Sequence, residues 1–202
     1  MQDSVSLRIG DAKDADSLAP LIYASAPTLM DFLFGSSEQA ISYLTSACRV
    51  SDGQYSAVRH YLAHADDKVL ACMSLWHSNM PSTFHLGTID SLTRFLRPAQ
   101  IAHIVNCNDA LQVVFKPPAS DEVCLGHFAV APDWQRKNIA SNLMAFVVRQ
   151  ANRKNKKRIV LDVDASNETA ISFYQKWDFA VKSKSAYEPT NQRFLRMVKT
   201  LV

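Results

Sequence analysis

The sequence contains no apolar run long enough to cross a membrane as a helix, no internal repeat and no low-complexity segment. Residues 1–4 lack the basic-then-apolar form of a signal peptide. Its four cysteines are widely spaced and none forms a C-x-x-C pair, which disfavours a zinc site or a redox motif. We therefore expect reduced thiols in a cytoplasmic protein that has no membrane partner and no bound metal.

The net charge is small, +3 over 202 residues, but the basic residues are concentrated in one segment. Residues 136–158 contain eight Lys and Arg and no acid, whereas the other 14 Lys and Arg are outnumbered by 19 Asp and Glu. No aromatic residue stands among the basic residues of 149–158, so nucleic-acid binding is the weaker interpretation. The basic residues at 153–158 fit the solvated end of a helix, where the dipole favours cations.

Length and an apolar content of 48% predict a single domain over residues 1–202. Hydrophobic periodicity predicts a strand at residues 5–9 and a helix at 11–24 that Pro27 ends. Ser36 or Ser37 is suited to cap a second helix. Residues 55–64 and 68–77 are predicted to form a hairpin that turns at Asp66-Asp67.

Residues 78–121 are too long for a structureless loop in a compact domain, so we expect them to contain helix. Leu92, Phe95 and Leu96 indicate one helix before Pro98, and residues 99–115 indicate another. This helical insertion is expected either to pack beside an acceptor site or to serve as a structural cap or dimer contact.

The most informative segment is 128–143, where an apolar run ends at Pro132, a polar basic turn follows and an amphipathic helix begins. Outward-facing N–H groups at such a helix start bind pyrophosphate. The segment resembles the acyl-coenzyme A loop of the GNAT N-acetyltransferase superfamily, V-x-P-x-x-[QR]-x-x-G-x-[GA]. Val130, Pro132, Gln135 and Ala140 match. Asn138 replaces the first glycine, and asparagine tolerates the left-handed backbone that a glycine there adopts.

A second motif follows the predicted strand Arg158–Asp164. It resembles the superfamily pattern N-x-x-A-x-x-[FL]-Y-x-[KR]-x-G-F, with Asp178 in place of the glycine. The matching residues are Asn167, Ala170, Phe173, Tyr174, Lys176 and Phe179. Two motifs in the correct order, each on the expected element, identify the chain as similar to GNAT enzymes.

The resemblance implies an α/β (α+β) fold with a mixed, mostly antiparallel central sheet flanked by helices. The helical insertion would precede the central cofactor-binding strand. It also implies transfer of an acetyl group from acetyl-coenzyme A to a primary amine of a small-molecule or peptide acceptor by direct transfer. Similar proteins commonly form homodimers.

By the same resemblance, strand residues 125–130 would pair with the pantetheine arm, and a backbone N–H near Val130 would polarise the thioester carbonyl. Arg136 and Lys137 would attract the phosphates. Asn167 would contact the cofactor and cap the following helix. The predicted cofactor-binding residues are Phe128, Ala129, Val130, Gln135, Arg136, Lys137, Asn138, Ile139, Ala140, Ser141, Asn167 and Tyr174.

Tyr174 occupies the family position of the general acid that protonates the leaving thiolate, and the alternative is a core aromatic. His127 is the first candidate general base, because its ordinary pKa suits neutral pH. A structural histidine, Glu122 as the base, or ordered water remain alternatives. Alternation places His60 and His64 on one face of the hairpin, but without a third ligand no metal site is expected.

A non-catalytic acyl-coenzyme A binding module is the alternative function, because Asn138 and Asp178 replace motif glycines. Tyr23, Phe32 and Phe34 are expected to line an apolar or mixed acceptor pocket. The sequence leaves the identity of the acceptor open.

Overall fold

The computed structural model describes residues 5–201, so the expectation drawn from residues 1–4 lies outside it. The strands are β1 (Ser6–Ile9), β2 (His60–Ala65), β3 (Lys68–Trp76), β4 (Glu122–Val130), β5 (Arg158–Asp164), β6 (Ala180–Tyr187) and β7 (Gln192–Thr200). The α-helices are α1 (Ala15–Ala24), α2 (Pro27–Phe34), α3 (Ser37–Cys48), α4 (Ser82–Phe95), α5 (Pro98–Val114), α6 (Ile139–Arg153) and α7 (Glu168–Gln175).

The seven strands follow the order β1-β2-β3-β4-β5-β7-β6. β1, β2 and β3 pair antiparallel, as do β5, β7 and β6, whereas β4 and β5 pair parallel. The predicted mixed, mostly antiparallel sheet with flanking helices is therefore confirmed. The parallel ladder has three residue pairs and ends at Cys124 and Val160, although β4 continues to Val130.

The chain forms two compact units. The first unit contains the described residues up to Ser74, Met80–Ile104 and His127–Ala145. The second unit contains Leu75–Asn79, Val105–Gly126 and the described residues from Phe146 onward. β4 and α6 each begin in one unit and continue into the other.

In the first unit, the hairpin of β2 and β3 turns at Asp66, whose φ of 50° fits a tight turn. The turn prediction is correct, but the predicted strand start at residue 55 is wrong. A short 3-10 turn, Ala57–Arg59, precedes β2, so the strand begins at His60. The largest fully buried side chains of this unit are Leu18, Ile22, Leu44, Leu62, Leu70, Met73, Ile139, Leu143 and Met144.

The helices before β2 differ from the sequence expectation at Pro27. This residue does end the preceding helical segment, but it also occupies the first turn of α2, which the sequence did not predict. Proline is favoured there because an N–H in the first turn of a helix has no intrahelical acceptor, so nothing is lost when proline lacks one. Ser36 caps α3 by accepting a hydrogen bond from the backbone N–H of Gln39 at 3.2 Å.

Both predicted helices of the insertion are present, as α4 and α5. α4 is anchored to the loop after α3 by a close backbone approach, because a Cβ on Gly87 would lie 2.4 Å from the carbonyl oxygen of Asp52. The N–H of Gln54 donates to Thr88 Oγ1 at 2.8 Å, and the Tyr43 and Ser91 hydroxyls are hydrogen-bonded at 2.9 Å. α4 is therefore held within the first unit by specific polar contacts.

The second unit contains a C-terminal hairpin, β6 and β7, that the sequence analysis left unassigned. β7 pairs with β5 along its length, from Arg158 opposite Thr200 to Asp164 opposite Phe194. Arg196 of β7 is hydrogen-bonded to Asp162 at 3.0 Å and ion-paired with Glu122 at 3.8 Å. The apolar core of the second unit includes Ile159, Leu161, Phe179, Tyr187, Phe194 and Met197.

Among residues 5–201, no single helix is long and apolar enough to span a membrane. One pair, Ala12–Ala24 with Pro27–Phe34, passes the test of length and composition only when taken together, across a bend of 107°.

The close approach at Gly87 predicts that Gly87→Ala destabilises the protein. Alanine normally stabilises a helix relative to glycine by about 1 kcal/mol, but here its methyl group would collide with backbone, and overpacking typically costs about 1–3 kcal/mol. Chemical denaturation should show a lower free energy of unfolding. Leu86→Ala on the same helix is the control, because Leu86 is 62% exposed. An alanine at position 87 that is harmless would contradict the close packing of α4.

Candidate functional site

The turn between β4 and α6 is built on two left-handed residues. A 3-10 turn, Pro132–Trp134, follows β4, and then Arg136 and Asn138 adopt φ values of 58° and 65°. The left-handed backbone expected at Asn138 is therefore confirmed, and Arg136 adopts the same region without a sequence signal. The N–H of Asn142 donates to the Asn138 carbonyl, so α6 begins directly after Asn138.

The N–H groups of Ile139, Ala140 and Ser141 form the first turn of α6. Within residues 5–201 these three groups have no backbone or side-chain acceptor. With the positive end of the helix dipole behind them, they favour an anion such as a phosphate. At Gln135, the N–H donates to the Pro132 carbonyl at 3.2 Å, and the side chain donates to the Val130 carbonyl at 3.3 Å.

Side chains around this turn divide into a buried anchor and exposed cations. Ile139 is 2% exposed, so it anchors the start of α6 in the core. Arg136 and Lys137 are exposed, and the Lys137 Nζ lies 4.4 Å from the centre of the Trp134 ring. This cation–π contact holds one positive charge beside the helix start, where it adds to the attraction for an anion.

His127 interrupts the regular backbone of β4 with a φ of 46°. This value is uncommon for a residue with a side chain and strains the backbone locally. The Cys72 thiol donates to the His127 carbonyl at 3.1 Å, and the Tyr55 ring stacks on the imidazole at 5.4 Å. Neighbours in the first unit therefore hold His127 in this conformation.

The imidazole of His127 is hydrogen-bonded to His60, with 2.8 Å between His127 Nδ1 and His60 Nε2. Burial lowers the pKa of His60 to about 4, and the His60 hydrogen bond to the Ser56 carbonyl partly opposes this. Desolvation, and secondarily the neighbouring His60, holds the pKa of His127 well below its usual range. Both rings are therefore neutral at physiological pH. The ordinary pKa that suggested His127 as the base is not retained, because burial makes its imidazole a weaker base than an exposed histidine.

The sequence analysis missed the pairing of His60 with His127, which are 67 positions apart. It also expected His60 and His64 to share a face, but their environments differ. His60 is fully buried, whereas His64 Nε2 is hydrogen-bonded to Ser6 Oγ at 2.9 Å in an exposed position. Among the described residues, no group of three or more His, Cys, Asp or Glu side chains is arranged to hold a metal ion.

Aromatic rings extend from His127 into the core. Tyr55 meets Tyr43 edge-on at 5.9 Å, and Tyr43 stacks on Phe34 at 4.6 Å. Phe34 is 3% exposed, so its predicted place in the lining of an open acceptor pocket is wrong. Phe32 is partly exposed, and the centre of its ring lies 5.0 Å from the centre of the His103 ring of α5. His103 Nε2 also donates to the Phe32 carbonyl at 3.0 Å.

In the second unit, Asn167 and Tyr174 lie near opposite ends of α7. The Asn167 side chain accepts a hydrogen bond from the Ala170 N–H at 3.0 Å, so its predicted capping role is confirmed. Tyr174 is 7% exposed and packs against Phe173 and Phe179. Burial raises the pKa of its phenol, so the hydroxyl remains protonated at physiological pH. Asp178, the second glycine replacement, has a φ of 62°.

Glu122, the second candidate base, is held in a network of charges in the second unit. It is 6% exposed, accepts a hydrogen bond from the Ala119 N–H at 2.9 Å and forms ion pairs with Arg158 and Arg196. Its arrangement therefore favours a structural role.

Comparison with known proteins agrees with this geometry. The model of the acetyltransferase (GNAT) family matches residues 32–179. A comparison with curated protein sequences gives no significant match.

Solved acetyltransferases share the fold. An N-acetyltransferase from Staphylococcus aureus Mu50 aligns with a TM-score of 0.70 at 14% identity, over 96% of this chain and 100% of that chain. A structure described only as an acetyltransferase gives 0.68 at 16% identity, over 96% and 98%. PaiA N-acetyltransferase from Thermoplasma acidophilum, in complex with coenzyme A, gives 0.58 at 15% identity, over 98% and 99%. At these identities the similarity is one of fold.

The left-handed backbone at Asn138 predicts that Asn138→Val destabilises the protein, because a β-branched residue resists positive φ at a cost of roughly 1–2 kcal/mol. Asn138→Gly should retain or increase the stability. Asn142→Val is the matched control, since Asn142 is an exposed residue within α6 and the two residues have similar helix propensity. Thermal melting of the three variants compares them. Equal losses at 138 and 142 would contradict a strained turn.

Proposed function

Because the chain belongs to the GNAT acetyltransferase family, it is an acetyl-coenzyme A dependent N-acetyltransferase, and we propose that it acetylates a primary amine by direct transfer. The observation that carries this proposal is the left-handed turn at Asn138, which leaves the N–H groups at the start of α6 directed outward. The acceptor is a small molecule or a peptide that presents an uncharged amine at the thioester.

The first step is binding of the cofactor by its phosphates. The N–H groups of Ile139, Ala140 and Ser141 supply donors for the pyrophosphate, and the exposed Arg136 and Lys137 add positive charge. The backbone of β4 from Phe128 through Ala129 to Val130 lies beyond the end of the parallel ladder with β5. It is suited to pair with the amide-bearing pantetheine arm.

Transfer then requires one proton to be removed and another to be supplied. The ammonium of the acceptor loses one proton to the base, and its nitrogen attacks the thioester carbon. The C–N bond forms as the C–S bond breaks, and the nitrogen then loses a second proton, which balances the proton that the thiolate takes up from the acid. His127 is the proposed base, because its imidazole is neutral and lies in the distorted part of β4. Tyr174 is the proposed acid that protonates the departing thiolate, and burial keeps its hydroxyl protonated.

The alternative of a non-catalytic acyl-coenzyme A binding module was based on the two replaced glycines. Asn138 and Asp178 both have positive φ, 65° and 62°. Asparagine and aspartate are the non-glycine residues that adopt this region most readily. The replacements therefore keep the backbone that the motif requires and do not themselves support a loss of activity. The retained Tyr174 is the feature that favours the enzyme over the binding module.

The proposal is tested by coenzyme A release over a panel of primary amines that includes amino acids, polyamines and peptides with free N-termini or lysines. We expect release that depends on at least one amine, and intersecting lines in double-reciprocal plots, since direct transfer requires a ternary complex. Mass spectrometry of protein mixed with acetyl-coenzyme A alone should detect no acetyl-enzyme. Parallel lines with an acetylated protein would contradict direct transfer, and cofactor binding without turnover would favour the binding module.

Tyr174→Phe should lower kcat on the order of a hundredfold or more if chemistry limits the rate, because general acid catalysis typically contributes about 10²–10⁴-fold. The ring is preserved, so coenzyme A affinity and the melting temperature should change little. Tyr187→Phe is the control, since it removes a hydroxyl from another buried tyrosine of the second unit, 1% exposed. Near-native turnover of Tyr174→Phe, or loss of both affinity and stability, would instead identify Tyr174 as a packing residue.

A further inference from the structure

We propose that His60 is a positioning residue that fixes the proton of His127 on Nδ1 and thereby keeps the lone pair of His127 on Nε2. This inference rests on the proposed function, because it concerns the residue proposed as the base. It is carried by a chain of two hydrogen bonds that runs from the Ser56 carbonyl through His60 to His127.

The direction of both hydrogen bonds follows from the Ser56 carbonyl, which can only accept. His60 Nδ1 lies 2.9 Å from this oxygen, so Nδ1 carries a proton and donates it. A neutral imidazole has one N–H, and His60 Nε2 is therefore an acceptor. The 2.8 Å contact between His60 Nε2 and His127 Nδ1 then requires His127 Nδ1 to be the donor. The remaining nitrogen of His127, Nε2, holds the lone pair.

The surroundings keep His60 in this role. It is completely buried on β2, where a charged imidazole is disfavoured, so it stays in the neutral form with a single N–H. The two imidazole rings are nearly parallel, with an interplanar angle of 11°, and their centres lie 5.1 Å apart because the Nε2–Nδ1 hydrogen bond joins them edge to edge. The Tyr55 ring packs on His127 at an angle of 17°. If the His127 ring turned over, this hydrogen bond would be lost, so the contact opposes an exchange of the two nitrogens.

The fixed tautomer matters because the other one would present an N–H to an ammonium group and could not accept its proton. When Nε2 takes up the proton, Nδ1–H continues to donate to the His60 lone pair, which stabilises the imidazolium that forms. The arrangement uses a neutral imidazole where other enzymes use a carboxylate to orient a catalytic histidine. His60 thus acts through His127 without contacting the substrate.

The test reads the tautomers directly by two-bond ¹H–¹⁵N NMR of the full chain at neutral pH. We expect the Nδ1–H form for both His60 and His127. In His60→Gln the side-chain carbonyl can still accept from His127 Nδ1–H, so His127 should keep this form and most of the turnover. In His60→Leu the acceptor is lost, so His127 should shift toward the Nε2–H form.

Turnover should follow the tautomer. For His60→Leu, kcat should fall on the order of tenfold to a hundredfold, because the base is weakened rather than removed and a general base typically contributes about 10²–10⁴-fold, while KM for acetyl-coenzyme A stays near its normal value. His64→Leu is the matched control, since it makes the same change on the same strand at a histidine outside this chain of hydrogen bonds. It should alter neither the His127 signals nor kcat.

Two results would overturn the inference: an Nε2–H form of His127 in the unaltered protein, or a folded His60→Leu variant with unchanged tautomer and kcat. If His60→Leu does not fold, the spectrum of the unaltered protein and the His60→Gln variant decide. Full turnover of His127→Gln would instead overturn the base assigned in the proposed function. The spectrum of the unaltered protein would still report on the tautomer itself.

Discussion

The arrangement of the turn between β4 and α6 depends on one backbone constraint, which is that the chain must leave β4 and start α6 within eight residues. A short 3-10 turn and two left-handed residues, Arg136 and Asn138, accomplish this. Ile139 then enters the core and fixes the helix start, while the N–H groups of the first turn remain directed outward. The same constraint thus anchors the helix and leaves at its start the N–H donors that we propose bind the phosphates.

Local features such as turn and cap residues were predicted well, because each signal is contained in a few neighbouring residues. Asparagine at 138 was expected to take the left-handed backbone of a glycine, and it does. Asn167 was expected to cap α7, and it does. The strain at Arg136 carries no such signal, since arginine is not a residue that favours positive φ. Composition and periodicity therefore do not indicate it.

The features that the sequence did not predict involve distant positions or competing local preferences. His60 and His127 are 67 residues apart, and only the assembled strands bring them together. Pro27 was interpreted as a helix end, although proline also favours the first turn of a helix, and periodicity alone could not separate the two. Phe34 was assigned to a pocket for its aromatic character, but aromatic residues fill cores as readily, and its partner Tyr43 lies on another helix.

The strained backbone at His127 is a local feature that depends on contacts with residues distant in the sequence. A φ of 46° costs free energy that an ordinary strand residue would not carry, and the surroundings hold it from several sides through Cys72, Tyr55 and His60. Tyr55 follows the loop that Gly53 and Gln54 fasten to α4, so the insertion supports the ring that stacks on His127. Removing these contacts would let β4 relax toward a regular strand and re-aim its backbone groups. α4, through the loop before Tyr55, and His60, through its hydrogen bond, therefore both help to hold the distorted backbone at His127. α4 contributes to this arrangement although it lies outside both sequence motifs.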